Sequence, residues 1–144
     1  NLKLKVIMIE FNYETDFELT NPVEISNWIK EVIKREGFKL GEINYIFCDD
    51  EYLHKLNVEF LNHDTLTDII SFDNTMGKLV SGDIFISIDR VKENAIIFNN
   101  SFLDELHRVI IHGVLHYLDY KDKNEAEKTV MRSKENFYLN CINN

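Results

Sequence analysis

A chain of 144 residues suits one domain, and at that length folding buries about two-thirds of the unfolded surface, so no disulfide or metal staple is required. Hydrophobic residues make up 44%, and one proline with five glycines excludes a long flexible linker. The net charge of −9 argues against a broad basic surface that grips nucleic acid, and leaves room only for a local basic groove.

Taken in chain order, residues 2–10 read as a strand, because Leu2, Leu4, Val6 and Met8 alternate with Lys3, Lys5 and Ile7. A secretory signal is the other reading of that stretch, and the missing small-residue cleavage site counts against it. Glu10 to Glu18 reads as a solvated acidic edge. Asn21-Pro22-Val23-Glu24 starts a helix: Asn caps, Pro takes the first turn and Glu reaches back. Its apolar face is Ile25, Trp28, Ile29, Val32 and Ile33, and Gly37 stops it. Residues 43–48 form a strand. Asp49 or Asp50 caps a helix carrying Leu53, Leu56, Phe60 and Leu61. Residues 66–73 and 83–89 form a hairpin around a turn at Asn74 to Lys78. Asp89 caps a helix to about residue 98, Ser101 one to about 118, and Asn124 the last.

This order predicts an α+β fold: a single domain over residues 1–144, one mixed sheet of about four strands, and helices packed against it. The helix from 102 to 118 is the central one, since apolar residues almost encircle it. Cys48 and Cys141 lack a metal-type spacing and read as free thiols in a reducing cytoplasm. No apolar run is long enough for a bilayer span.

Residues 112–122, HGVLHYLDYKD, carry the chemistry. Four residues advance a helix by one turn plus about 40°, so His112 and His116 project side by side. Glu105, Arg108, His112, His116 and Asp119 form one polar stripe, which on a buried helix must find partners or face a cavity. Two core histidines with ordinary hydrogen bonds would satisfy that rule; so would a metal site. Asp122 tips the balance. The offsets of 0, +4 and +10 match the zinc layout HExxHxxGxxH, in which a turn swings the last ligand back. Asp119 takes the turn position, where Asp tolerates a left-handed backbone. His112, His116 and Asp122 would hold one divalent ion, zinc in the first place, with Mn, Fe or Ni also compatible, and leave a position for water. Gly113 replaces the metalloprotease general base, which argues against peptide hydrolysis, and could let a substrate or another backbone approach closely.

The motif resembles HGxLHLxGYDH of the YbeY family of bacterial endoribonucleases, or rRNA maturation factors. Residues 56–73, LNVEFLNHDTLTDIISFD, are similar to the family's LNxEYRxxDxPTDVLSFP, and residues 81–87, SGDIFIS, to its LGDIxIS strand. The resemblance implies a metal-dependent hydrolase that cuts single-stranded RNA, acts in 16S rRNA 3′-end maturation, and meets ribosomal RNA and the small ribosomal subunit in the cytoplasm. It also places Asp68 and Ser71 beside the metal as catalytic residues with His112 and His116. Asp68 and Ser71 lie on opposite faces of an ideal strand, so both line one cleft only if the strand bulges or ends between them. This chain departs from the pattern: Asp122 stands for the third His, Asp119 for the Gly, Lys121 for the Asp, Leu66 for the Pro and Leu61 for the Arg. Arg108 and Lys121 are the candidates to replace that Arg. Asp83 reads as a strand-start residue, and His54, His63 and His107 as non-ligands. A monomer is the expectation. The other readings are a non-catalytic ribosome-assembly factor, motivated by Leu61 and the acidic charge, and a metalloprotease-like hydrolase, disfavoured by Gly113.

Overall fold

The computed structural model describes residues 8–143; residues 2–7 of the first predicted strand lie outside them. The elements are β1 (Met8–Tyr13), α1 (Pro22–Arg35), β2 (Lys39–Cys48), α2 (Asp50–Leu61), β3 (Ile69–Asp73), β4 (Leu79–Ser87), α3 (Ile88–Ile97), α4 (Phe102–Tyr117) and α5 (Glu125–Asn143). The strands form one sheet in the order β1-β2-β4-β3. β1 and β4 both run parallel to β2, and β3 is antiparallel to β4. The parallel pairs need crossover connections, which α1 and the α2–β3 segment supply. The mixed sheet with helices packed on it is the expected fold.

The main core lies between the sheet and α1, α4 and α5. Ile43, Tyr45, Phe47, Ile84 and Ile86 meet Ile29, Val32, Ile110 and Val114 there, all at most 1% exposed. A smaller cluster of Cys48, Leu53 and Ile70, with Phe72 and Phe85, seats α2 on the other face. Alternation along each strand separates the two clusters.

Helix ends follow the local rules with two exceptions. Gly37 at φ +83 closes α1, with the Phe38 N–H on the Ile33 carbonyl. Asp49 caps α2 by accepting from the Tyr52 N–H. Asn21 does not cap α1 with its side chain; its amide donates to Glu24 instead. Asp89 does not cap α3. Ser87 takes that role, and the Asp89 carboxylate accepts from the Asp50 N–H at the start of α2. Strand bounds shift as well. β2 and β4 start four residues earlier than expected, because Lys39 pairs with Leu79 ahead of an irregularity at Leu40–Ile43 that obscures the alternation. β3 starts at Ile69, three residues late.

Two tyrosines pin α4 to the sheet. Tyr45 donates to the Ile110 carbonyl at 2.9 Å. The Tyr117 hydroxyl lies 2.9 Å from the Phe72 carbonyl and 3.1 Å from that of Asp83. It fits there because Gly82 has no side chain: a Cβ would collide with the Phe72 carbonyl and the Tyr117 ring. Gly113 packs toward Ile69 and Ile84 of the sheet, so its smallness serves helix–sheet contact, not the approach of a substrate. Cys48 is buried and Cys141 exposed, and both are free thiols. No helix among the described residues is long and apolar enough to cross a membrane.

Candidate metal centre

α4 carries both histidines on its last two turns, and the pinned Tyr117 fixes their height on the sheet. The helix then reverses. Asp119 adopts φ +73, and the Tyr120 N–H returns to the Leu115 carbonyl. This is the left-handed turn expected of Asp119, and it brings Asp122 back over the histidine face. The His112 Nε2 and His116 Nε2 are 2.9 Å apart, and an Asp122 carboxylate oxygen lies 3.3 Å from each.

The other nitrogens of both rings are engaged. His116 Nδ1 donates to the Tyr120 carbonyl at 3.0 Å, and His112 Nδ1 donates to Glu135 at 2.7 Å. With both rings neutral, each Nε2 is a lone pair, facing the other and a carboxylate oxygen. Three acceptors at that spacing repel one another unless a cation joins them. Bonds of about 2.0–2.2 Å at tetrahedral angles put ligand atoms roughly 3.3–3.5 Å apart, which is close to the spacing of the triad. His112, His116 and Asp122 form a possible metal site by these distances. Burial pushes the His112 imidazole down, but Glu135 and Asp122 outweigh it and hold the group above its ordinary value. His116 is held below it, by burial and by the neighbouring His112 charge.

Glu135 is the residue that sequence reasoning missed. It is buried on α5, bonds His112 and accepts from Arg108 at 2.9 Å. Burial raises its carboxyl, yet His112 and Arg108 bring it below the ordinary range, so it stays ionised. A carboxylate behind a ligating imidazole fixes the tautomer and strengthens the ligand. Its signal in the sequence was the stripe Met131, Glu135, Tyr138, an acid at helical spacing between two core residues.

His112 and Asp122 of the triad line a cavity of about 290 Å³ whose walls also include Asp68, Phe98, Glu105, Arg108 and Arg132. Because β3 begins at Ile69, Asp68 stands outside the strand and faces this space. Burial raises its carboxyl above the ordinary value, with His112 opposing. Ser71 pairs with Ile84 in the sheet and lies by the Tyr117 hydroxyl, away from the cavity walls. Of the two cations considered, Arg108 is in the cavity but committed to Glu135 and Asn136, while Lys121 lines a different depression with Tyr120 and Glu127. Leu61 is exposed at the end of α2. His54 bonds Asp64 on the surface, His63 is exposed, and His107 packs against Trp28, so none joins the triad. Asp83 sits inside β4, bonded to Asn44.

A second layer of contacts steadies the turn. Glu36, after α1, accepts from Tyr120 at 2.6 Å, from Lys134 at 3.2 Å and from Tyr138. Tyr120 is also the residue whose carbonyl orients His116. Burial raises the Glu36 carboxyl, but these three donors lower it more, and the net is below the ordinary value. A depressed folded value gives stability that is present above the unfolded value of about 4.3 and lost as pH falls through the folded one. Glu36→Gln is expected to cost about 1.5–3 kcal/mol near pH 7, with the gap to wild type closing in urea melts below pH 4.

A model of the family described as Endoribonuclease YbeY matches residues 10–143. A Flavobacterium johnsoniae protein named Endoribonuclease YbeY is 62% identical over 128 residues, covering 89% of this chain and 92% of that one. A Christiangramia forsetii protein of the same name is 55% identical over 88% of this chain and 89% of its own. The solution structure of a Thermotoga maritima protein superposes with a TM-score of 0.70 at 29% identity, covering 94% of this chain and 89% of that one. Matched nearly end to end, by sequence and by fold, the chain belongs to the YbeY endoribonuclease family.

Proposed function

We propose that this protein is a metal-dependent endoribonuclease that cuts single-stranded RNA during rRNA maturation, working on the small ribosomal subunit in the cytoplasm as a single hydrolase domain. Family membership makes it an endoribonuclease; the metal, the rRNA and the residue roles are the proposal. The observation that carries it is the convergence of two imidazole lone pairs and one carboxylate oxygen within 3.3 Å at the mouth of a cavity. His112, His116 and Asp122 would hold the ion, zinc in this reading, and their N/O donors suit Mn, Fe or Ni as well. Such an ion, when bound, polarises a phosphate oxygen and lowers the pKa of water.

The chain's own groups do the rest. Glu135 keeps His112 in the ligating tautomer. Asp68, with its raised carboxyl, holds or releases a proton at the cavity wall. Arg132, whose ion pair among the described residues is a 3.6 Å contact to Glu135, offers a guanidinium to phosphate and so serves where Leu61 cannot. Ser71 acts at one remove, beside the tyrosine that fixes the end of α4. Protein purified without a histidine tag should carry about one divalent ion per chain. Chelation should remove the ion and cleavage of single-stranded RNA together, and zinc should restore both. Cleavage at the full rate in excess chelator would reject the proposal.

A further inference from the structure

Phe98 closes α3 and is 59% exposed, in line with Ile96 at 76% and Ile97 at 63%. Three successive large apolar side chains in water call for an occupant. The backbone presents them rigidly: the Phe98 N–H bonds the Asn94 carbonyl, Asn99 turns at φ +55, and the Asn100 N–H returns to the Ala95 carbonyl. Of the three, Phe98 alone lines the cavity with His112, Asp122 and Arg132. A flat apolar ring thus stands on the same small cavity as a guanidinium and a metal triad.

From this we propose that Phe98 is the stacking surface for one nucleobase of single-stranded RNA, next to the phosphate that lies by Arg132 and the triad. The inference rests on the ribonuclease reading above and adds the subsite. Two chemistries side by side fit a nucleotide: a π-face for a base, and positive charge for its phosphate. The cavity also holds four carboxylates: Glu135 pairs with Arg108, Asp122 belongs to the triad, Glu105 accepts from the Asn100 amide, and Asp68 stands on the wall, so the charge offered to a phosphate is that of Arg132 and the bound ion. A stacked base is read by its face and not by its edge, so the subsite accepts any base and discriminates against duplex, whose bases are already stacked.

The test uses the metal-loaded full chain and a short single-stranded RNA, alone and with an abasic nucleotide walked along it. Phe98→Ala should melt with the wild type, because its ring lies outside the core. Its kcat/KM should fall roughly 5- to 150-fold, mostly through KM. Phe98→Trp should restore it, and Phe98→Leu, apolar but not flat, should restore less. In wild type, one abasic position should give a comparable loss; in Phe98→Ala that position should give none further. A 2′-O-methyl version, used once gel analysis shows it stays uncut under the assay conditions, gives the same comparison as equilibrium binding. If binding depends on Phe98 while no cleavage occurs, the subsite stands and the nuclease reading falls. If Phe98→Ala binds and cuts as wild type does, or if the abasic loss persists in it, the subsite is wrong.

Discussion

Replacing His116 with alanine is expected to remove bound metal and RNA cleavage together. His116 contributes one of three converging donor atoms, and its other nitrogen is already bound to the Tyr120 carbonyl, so no second rotamer can offer a donor without breaking that bond. Loss of a partner behind a ligand costs about 10–100-fold in affinity or activity, so loss of a ligand should exceed 100-fold. The fold should survive, since the side chain is 30% exposed and its neighbours on α4 hold the core. The measurements are metal content and cleavage rate on one preparation, with His54→Ala as the control for a histidine outside the centre. A purified His116→Ala protein that cut RNA at the wild-type rate would overturn the assignment of the triad.

The second large effect is at Glu135, and two substitutions divide it. Glu135→Gln keeps the shape and removes the charge. An amide that turns its nitrogen toward His112 makes Nδ1 the acceptor and puts the proton on Nε2, where the metal lone pair should be. Metal affinity should drop about 10–100-fold. Glu135→Ala also strips Arg108, 19% exposed, of its carboxylate. That variant should lose the metal and about 1.5–3 kcal/mol of stability. Metal titration and urea melts together separate the two variants. Equal metal affinity in wild type and Glu135→Gln would show that the tautomer of His112 is fixed by something else.

What could be read from the sequence was what the chain arranges locally. The spacing of His112, His116 and Asp122 needs one helix and one turn, and both are written in consecutive residues, including an Asp at 119 that tolerates positive φ. The sheet and the central helix were legible for the same reason, through alternation and apolar period. Glu135 was not, because it reaches His112 only when α5 docks on α4, a tertiary event 23 residues away. Asp89 misled for a related reason. As a helix start it is a good local cap, but the packed structure offers its oxygens a donor from α2, and Ser87 stands ready two residues earlier. The early starts of β2 and β4 were hidden because Gly41 and the irregularity beside it break the alternation that pairing with a neighbouring strand tolerates. The place of Arg132 on the cavity wall was invisible too, since nothing in one helix says which cleft its outer face borders.

The two thiols differ in a way that serves the experimenter. Cys48 is fully buried and its thiol is pushed up to about 12, so at neutral pH it offers no thiolate to an alkylating reagent. Cys141 lies exposed on the same helix as Glu135 and Arg132. A maleimide dye or a nitroxide should therefore attach at one place without any engineered cysteine, and report from the helix that closes over the histidines.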